Sequence, residues 1–190
     1  MNVLILCDRQ SSSYHEQDLG TLAHAVAASA GCDAELVVVN GDELAPCRGC
    51  FLCWVKTPGL CIYTDDAANS ISARLIRSDA VVLLGRITFG GYSYDLKAFL
   101  DRAIPNILPY FEIIDGEMHH EKRYPSFPML ICIGYGDHTP FEAETFALLA
   151  RRNSLNMNPS GSHVLTIQIP DDLEKTMLSL RSVLSGLVSK

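Results

Sequence analysis

The chain has 190 residues, 48% of them hydrophobic and 19% charged, and its formal net charge is -7. This length and composition predict one folded domain with a sizeable core rather than a disordered segment. The acidic balance and the lack of any Lys and Arg cluster exclude nucleic acid as an expected partner, because a nucleic-acid-binding surface must neutralise phosphates.

The first residues, MNVLILCDRQ, are apolar over only a short run and carry no basic leader. No segment approaches the roughly 18 apolar residues that span a membrane. The sequence therefore predicts a cytoplasmic protein with no membrane partner. In that compartment, clustered cysteines indicate metal or redox chemistry more often than structural disulfides.

Strand patterns and helix patterns alternate along the chain. The buried-strand patterns are, in chain order, NVLIL, AELVVVN, DAVVLLG, PMLICIG and HVLTIQI. The helix patterns that follow them are LGTLAHAVAASAG, DAANSISARLIRS, YDLKAFLDRAI, FEAETFALLARRN and DDLEKTMLSLRSVLSGLV. Thr64, Asp65 and Asp66 offer the side-chain oxygens that cap the start of the second helix.

This alternation predicts an α/β fold, in which helices cover both faces of a doubly wound, five-stranded parallel sheet within a single domain over residues 1–190. The flavodoxin-like strand order 2-1-3-4-5 suits the rhythm of the elements. Two segments stand outside the alternation. They are a cysteine-rich loop at residues 46–64 and an irregular insertion at residues 106–127.

Three loops are the candidate ligand site, because doubly wound sheets bind ligands beyond the carboxyl ends of their strands. The serines of the first loop precede a helix and can either hold a phosphate or simply cap that helix. The glycine-rich loops after strands 3 and 4 can lie against a flat ring, or can be turns that need positive φ. The candidate cofactor-binding residues are Arg9, Ser11, Ser12, Ser13 and His15, then Thr88, Phe89, Gly90, Gly91 and Tyr92, and finally Gly134, Tyr135 and Gly136.

Four of the seven cysteines lie close together as C-x2-C-x2-C-x7-C, at Cys47, Cys50, Cys53 and Cys61, beside the only tryptophan, Trp54. Tightly spaced thiolates of this kind ligate 4Fe-4S clusters in ferredoxins. Structural zinc, a redox-active dithiol and four packed, reduced thiols are the alternatives. Trp54 can cover a cofactor or anchor a subunit interface. Cys7, Cys32 and Cys132 lie at the ends of apolar elements and are interpreted as structural.

The segment DAVVLLGRITFGGYSYDLKAFLDR resembles the third-strand region of flavodoxin-like NAD(P)H-dependent FMN reductases. In that family the strand leads into a flavin-edge loop, and a Lys-x-Phe-x-Asp-Arg helix follows, here Lys97, Phe99, Asp101 and Arg102. The cysteine segment, which ends in two aspartates, resembles that of the iron-sulfur flavoproteins, a branch of the same superfamily whose compact cysteine motif binds a 4Fe-4S cluster. The first loop and the stretch Arg86-Ile87-Thr88 depart from the usual family pattern.

The resemblance implies FMN as cofactor, with its phosphate in the first loop and its ring against the loops after strands 3 and 4. It also implies NAD(P)H as co-substrate, a small-molecule or protein electron acceptor, and a dimer or tetramer of identical chains. The predicted function is an FMN-dependent oxidoreductase, with or without a 4Fe-4S cluster on the four cysteines. Two alternatives stay open: an electron carrier without its own substrate, and a flavodoxin-like binding protein that has lost its flavin. No catalytic side chain is predicted, because the flavin performs the chemistry.

Overall fold

The computed structural model describes residues 1–14, 17–114, 116–157, 161–168 and 173–189. The predicted site residue His15 lies outside these ranges. The strands are β1 (Asn2–Asp8), β2 (Asp33–Val39), β3 (Ala80–Arg86), β4 (Ile107–Ile114), β5 (Glu117–Lys122), β6 (Met129–Tyr135) and β7 (Ser162–Ile167). The α-helices are α1 (Leu19–Ser29), α2 (Leu52–Val55), α3 (Ala68–Arg77), α4 (Tyr94–Arg102), α5 (Pro140–Met157) and α6 (Leu173–Val188).

Five strands form one parallel sheet in the order β2-β1-β3-β6-β7. When only the strands of this sheet are counted, that order is 2-1-3-4-5, so the predicted flavodoxin-like, doubly wound fold is confirmed. The three central strands are continuous apolar runs because helices cover both of their faces. The direction of strand order reverses between β1 and β3, and this switch point is where such sheets bind ligands.

Alternate residues of each central strand enter two separate cores. In β1, Leu4 and Leu6 pack under α3, α4 and α5, whereas Val3 and Ile5 pack under α1 and α6. The two-residue period of a strand produces this division. Within the described part of the chain, none of the helices is long and apolar enough to cross a membrane.

The segment 106–127, which the sequence predicted to be irregular, contains an antiparallel hairpin of β4 and β5. The ladder is disturbed between Ile107 and Phe111, where Pro109 cannot donate a backbone hydrogen bond. That interruption hid the strand pattern. The hairpin packs through His119, which is buried and bonds Asn156 of α5 at 3.2 Å.

The cysteine-rich segment contains only the single helical turn α2, and α3 begins after it at Ala68. The N-cap position is occupied by Ala67, not by Thr64, Asp65 or Asp66 as the sequence predicted. Asp66 nevertheless accepts a hydrogen bond from the Ala68 amide at 3.0 Å. The carboxylate reaches the helix start from the residue before the N-cap, and its other oxygen accepts the Ala45 amide at 2.8 Å.

Candidate functional site

The buried carboxylate of Asp8 joins the carboxyl ends of three neighbouring strands. It accepts the Arg86 amide at 2.7 Å, the Tyr135 hydroxyl at 2.6 Å and the Ser11 amide at 3.0 Å. The loops after β1, β3 and β6 therefore meet at the switch point of the sheet. Burial, followed by the neighbouring Asp8 carboxylate, raises the pKa of Tyr135. No motif in the sequence indicates this role for Asp8, which simply follows an apolar run.

The first loop is a 3-10 turn over Arg9–Ser13, and most of its polar groups bond within the protein. The Ser11 hydroxyl donates to the Asp8 carbonyl at 2.7 Å, and the Ser12 hydroxyl donates to the Arg9 carbonyl at 2.9 Å. Ser12 and Ser13 are exposed, whereas Ser11 is buried. A phosphate at this loop would meet the outer two serines rather than the first.

Arg9, a predicted phosphate contact, binds two carboxylates of the protein. Its guanidinium lies 2.9 Å from Asp95 and 2.8 Å from Asp42. Burial tends to raise the pKa of Asp95, but hydrogen bonds from Arg9 and from the Gly41 amide outweigh that effect and lower it. The positive charge of Arg9 is therefore largely neutralised by Asp42 and Asp95.

A third carboxylate occupies the start of α1, where the resemblance implies a phosphate. Asp18 caps this helix by accepting the Thr21 amide at 2.9 Å and the Thr21 hydroxyl at 2.7 Å. These hydrogen bonds lower the pKa of Asp18. The helix dipole that would attract a phosphate here already stabilises a negative charge.

The loop after β3 closes as a tight turn whose tip projects from the protein. Thr88 and Gly91 exchange backbone hydrogen bonds of 3.0 and 2.9 Å, with Phe89 and Gly90 between them at φ values of 50° and 74°. A left-handed conformation costs a residue with a Cβ about 1–2 kcal/mol, so Phe89 is strained. Its side chain is 93% exposed.

Tyr92, the last predicted residue of this loop, faces the core instead of the crevice. Its hydroxyl lies 3.9 Å from the Cys132 sulfur, and its ring lies edge-on to Phe146 at 5.4 Å. Burial raises the pKa of this phenol. The structure thus separates Tyr92 from the exposed turn at Thr88–Gly91.

The loop after β6 combines buried glycine and tyrosine positions with one histidine that the sequence did not indicate. Gly134 and Tyr135 are buried in the strand, while Gly136 leaves it at a φ of 128°. His138 is 9% exposed, and among the described residues neither of its ring nitrogens has a hydrogen-bond partner. Buried polar atoms without partners are uncommon, so this imidazole is a candidate ligand contact.

The structure brings all four clustered cysteines around one small cavity of about 30 Å³. All seven cysteines of the chain carry free thiols. Burial raises the pKa of Cys53, and the charges of Cys61, Cys50 and Cys47 raise it further, because the four sulfurs lie within electrostatic range of one another. Across the described ranges, no three His, Cys, Asp or Glu side chains form a group that could hold a metal ion.

Arg102 also lines this cavity, and its side chain is fully buried. Its two terminal nitrogens bind Asp66, at 2.7 and 3.3 Å, and the Tyr63 carbonyl, at 2.9 Å. Burial lowers the pKa of Arg102, but the Asp66 hydrogen bond and the nearby Cys61 more than offset this and raise it. The buried Nε–H has no hydrogen-bond partner within the described residues. The Nε–H of Arg102 is therefore an unpaired donor close to the thiols, among the described residues.

Trp54 anchors the cysteine segment to the base of the hairpin. Its indole nitrogen donates to the Ile107 carbonyl at 3.0 Å and to the Ile104 carbonyl at 3.3 Å. Its ring stacks on Phe51 at 5.0 Å. These contacts fix α2 against the turn that follows α4.

Residues 1–127 match the family model described as NADPH-dependent FMN reductase. An iron-sulfur flavoprotein from Methanocaldococcus jannaschii is 35% identical over 78 residues, which cover 41% of this chain and 39% of that protein. An iron-sulfur flavoprotein from Methanosarcina thermophila is 28% identical over 79 residues, 42% of this chain and 40% of that protein. The matched segment thus spans about two fifths of the length of these relatives.

Solved structures share the fold over nearly the whole chain. An NAD(P)H:quinone oxidoreductase from Methanothermobacter marburgensis superposes with a TM-score of 0.67 at 15% identity, covering 98% of both chains. An azoreductase from Bacillus anthracis superposes with a TM-score of 0.62 at 13% identity, covering 98% of this chain and 97% of the other. At such low identity the likeness concerns the fold alone.

Proposed function

This chain belongs to the family of NADPH-dependent FMN reductases, and from that premise we propose that it is an oxidoreductase that moves electrons from NAD(P)H through FMN to an acceptor. The observation that carries the proposal is the family match over residues 1–127, together with a crevice where the ends of β1, β3 and β6 meet. FMN, when bound, supplies hydride acceptance and electron transfer. The protein binds, orients and shields the reacting groups.

The crevice suits a flavin ring better than it suits a phosphate. The exposed turn at Thr88–Gly91, the backbone at Gly136 and the unpartnered imidazole of His138 would meet the ring. The exposed Phe89 would cover the ring or the incoming nicotinamide. At the phosphate end, Ser12 and Ser13 would donate, but Asp18 opposes them with a negative charge. Ring contacts should therefore supply most of the binding energy.

We further propose that Cys47, Cys50, Cys53 and Cys61 hold a 4Fe-4S cluster. Their convergence on one cavity supports this, as does the name of the two iron-sulfur flavoprotein relatives. The unpartnered Nε–H of Arg102 is suited to a sulfur acceptor, and its charge favours an anionic centre. A cluster there would pass electrons one at a time.

The backbone near the last cysteine is held firmly enough to receive such a group. Asn69 accepts the Cys61 amide at 3.0 Å and donates to the Cys61 carbonyl at 2.9 Å. The amide of one side chain therefore fixes both backbone groups of this cysteine. A fixed backbone at this one cysteine lowers the cost of ordering it, whereas the other three thiols would still have to move together around a cluster.

Small aromatic oxidants are the proposed acceptors, because two proteins of the same fold are named as a quinone oxidoreductase and an azoreductase. An electron-carrier function is the second candidate, since Cys47 and Cys50 are exposed and would leave one edge of a cluster open to a partner protein. Steady-state oxidation of NADPH with added FMN and a quinone separates the two. A reductase should sustain turnover, and a carrier should show almost none.

We also propose a cytoplasmic homo-oligomer whose contact surface includes the hairpin. Phe111, Ile113 and Met118 lie on one face of the hairpin and are 59%, 66% and 67% exposed. Their paired positions put them opposite the His119 face that packs on α5. A second copy of the chain would cover this apolar face.

Anaerobic purification followed by an absorption spectrum and by iron and sulfide analysis tests flavin and cluster together. The expected protein is coloured, shows flavin bands, and contains iron and sulfide in equal amounts. Colourless protein that takes up neither FMN nor iron after anaerobic reconstitution would contradict both parts of the proposal. If the protein contains zinc instead of iron, the 4Fe-4S proposal is contradicted, whereas the proposed flavin chemistry is unaffected.

A further inference from the structure

A second and much larger cavity, of about 530 Å³, lies between α4 and α5. Its volume falls in the range of roughly 300–1,000 Å³ that is typical of small-molecule sites. The floor consists of side chains from β3 and β6, namely Leu83, Leu130 and Cys132. The apolar walls are formed by Leu100, Ala103, Leu149, Ala150 and Met157. The two helices thus leave a slot with an apolar floor between them.

Polar groups stand around this slot, but they carry no net charge. Lys97 and Asp101 of α4 pair with each other at 2.6 Å. Asn153 and Asn156 of α5 offer uncharged amide groups, although Asn153 also bonds Tyr92 and the oxygen of Asn156 contacts His119. A charged ligand would lose its hydration over the apolar floor without gaining an unpaired opposite charge. A neutral molecule with hydrogen-bond acceptors fits these surroundings better.

The slot adjoins the cysteine cavity and is distinct from the proposed flavin surface. Cys47 and Gly49 line both cavities, and so do Asp101 and Ile104. The residues proposed to meet the flavin ring, at Thr88–Gly91, Gly136 and His138, do not line the slot. A molecule held here would lie beside the first cysteine of the cluster motif.

We propose that the slot between α4 and α5 binds the electron acceptor, a neutral, flat, ring-bearing molecule of the quinone type, next to Cys47. This inference rests on the proposed function, because the acceptor would take its electrons from the centre held by the cysteines. A quinone accepts two electrons, one at a time, together with two protons, and leaves as the hydroquinone. NAD(P)H supplies the electron pair as a hydride through FMN, and the proton of that hydride returns to the solvent, so one proton is consumed from water overall. The quinone oxygens accept hydrogen bonds from the amides of Asn153 and Asn156.

Binding can be measured without any turnover, because the only tryptophan lies at the edge of the slot. Trp54 donates to the carbonyls of Ile104 and Ile107, and both isoleucines line the slot. The probe is 2,3-dimethyl-1,4-naphthoquinone, which has no free ring carbon for a thiol to attack. Its titration into the oxidised, cofactor-loaded protein without NADPH should quench the tryptophan fluorescence in a saturable way.

The deciding variant is Ala150→Leu, which enlarges a fully buried residue of the wall and should narrow the slot. The control is Ala147→Leu, at a half-buried position of the same helix outside the lining. We expect the dissociation constant for the probe to rise about ten-fold or more in Ala150→Leu and to stay within about two-fold in Ala147→Leu. Asn156→Asp, at an exposed rim position, removes the amide donor but keeps the oxygen that contacts His119; it should also weaken binding, and it keeps the test decisive if Ala150→Leu does not fold.

Reduction of ferricyanide by NADPH separates failure of the site from failure of the proposed function. This small anion needs no apolar slot, so the ratio of quinone reduction to ferricyanide reduction should fall about ten-fold in Ala150→Leu. Wild-type protein that reduces neither acceptor contradicts the proposed function, while the fluorescence titration still decides the site. Equal probe affinity in the wild type and both slot variants would overturn the acceptor site. If the probe does not quench the wild-type fluorescence and Ala150→Leu changes the oligomeric state, a second copy of the chain fills the slot. That result would also overturn the acceptor site.

Discussion

Two aspartates at the crevice differ in what their negative charge does. The buried carboxylate of Asp8 is stabilised inside the protein, because it accepts hydrogen bonds from donors in three chain segments. Asp18 is exposed and faces outward at the start of α1, although it also caps that helix. The first carboxylate shapes the site, whereas the second affects any anion that approaches it.

Replacement of Asp18 by Asn should strengthen the binding of FMN but not of riboflavin. Asn is as good an N-cap as Asp, so α1 is retained while the negative charge near the phosphate is removed. Removal of one exposed repulsion favours FMN by about 0.3–1 kcal/mol, or roughly two- to five-fold in affinity. Fluorescence titration of both flavins measures it. Riboflavin, which has no phosphate, is the internal control, and an equal gain for both flavins would show that the charge is not the cause.

The ion pair between Arg102 and Asp66 should contribute strongly to stability, because both side chains are almost fully buried. We expect Arg102→Met to lower the free energy of unfolding by about 3–5 kcal/mol, since it leaves a carboxylate buried without its partner. Lys97→Met, in the same helix, removes an exposed ion pair and should cost less than about 1 kcal/mol. Urea unfolding compares the two variants. If both variants lose a similar free energy of unfolding, the buried ion pair contributes no more to stability than the exposed one.

At the scale of elements, the cysteine segment obtains its shape from three neighbours rather than from its own secondary structure. Arg102 of α4, Asn69 of α3 and the carbonyls after α4 that bind Trp54 hold it from three sides. Its own helix is a single turn. The four cysteines therefore surround one cavity only because the neighbouring helices fix the backbone of the segment.

Cys53→Ser should abolish most of the iron and sulfide taken up on anaerobic reconstitution, while Cys32→Ser should retain them. Both thiols are buried, but only Cys53 lines the cavity with the other three cysteines. Serine is nearly isosteric with cysteine and is a poor ligand for a cluster. Iron and sulfide analysis of the two variants gives the answer. Equal iron content in the two proteins would exclude Cys53 as a ligand.

The hairpin of β4 and β5 is the element proposed to join two chains. Ile113→Lys puts a charge into its apolar face and should raise the dissociation constant of the oligomer about ten-fold or more. Leu178→Lys, at a 58% exposed position of α6, is the control and should leave self-association unchanged. Sedimentation equilibrium measures both. A wild-type protein that is monomeric at every concentration would refute the proposed contact.

At the scale of the whole molecule, the sequence predicts what depends on local patterns and misses what depends on distant pairing. Continuous apolar runs predict β1, β3 and β6, and the alternation of strands and helices suits the strand order that the structure has. Pro109 obscures the hairpin, because one residue interrupts the alternation.

The candidate site divides in the same way. Cysteine spacing predicted the convergence of the thiols, whereas the partners of Arg9 and Arg102 come from residues 86 and 36 positions away. Ion pairs between such distant residues produce no recognisable pattern in a short stretch of sequence. Nor does the sequence indicate that Tyr92 turns inward, because a loop tyrosine has the same composition whichever way its side chain faces.

Buried thiols on both faces of the sheet should make the whole fold sensitive to alkaline pH. Cys7 packs with α1 and α6, and Cys132 packs with α4 and α5. Burial raises the pKa of each thiol to about 11. A cysteine in an unfolded chain has a pKa of about 8.5.

The sign of the effect follows from proton binding. Below about pH 8.5 both states keep the thiol protons, and the stabilisation is fully present. Between that value and about 11 the unfolded chain loses protons that the folded chain retains, so the free energy of unfolding should fall steadily. Burial raises the pKa of Tyr92 and Tyr135 as well, which adds to the loss at the upper end of the range.

Urea unfolding across this pH range should therefore give a falling curve for the wild type and a shallower one for Cys132→Ala. Ile131→Val in the same strand is the control, because it removes a buried methyl group but no titrating group. Its curve should lie about 0.5–1.5 kcal/mol below the wild type and run parallel to it. If Cys132→Ala also ran parallel, the alkaline loss would belong to other groups. A stability independent of pH above 8.5 would mean that solvent reaches the thiols in the folded state.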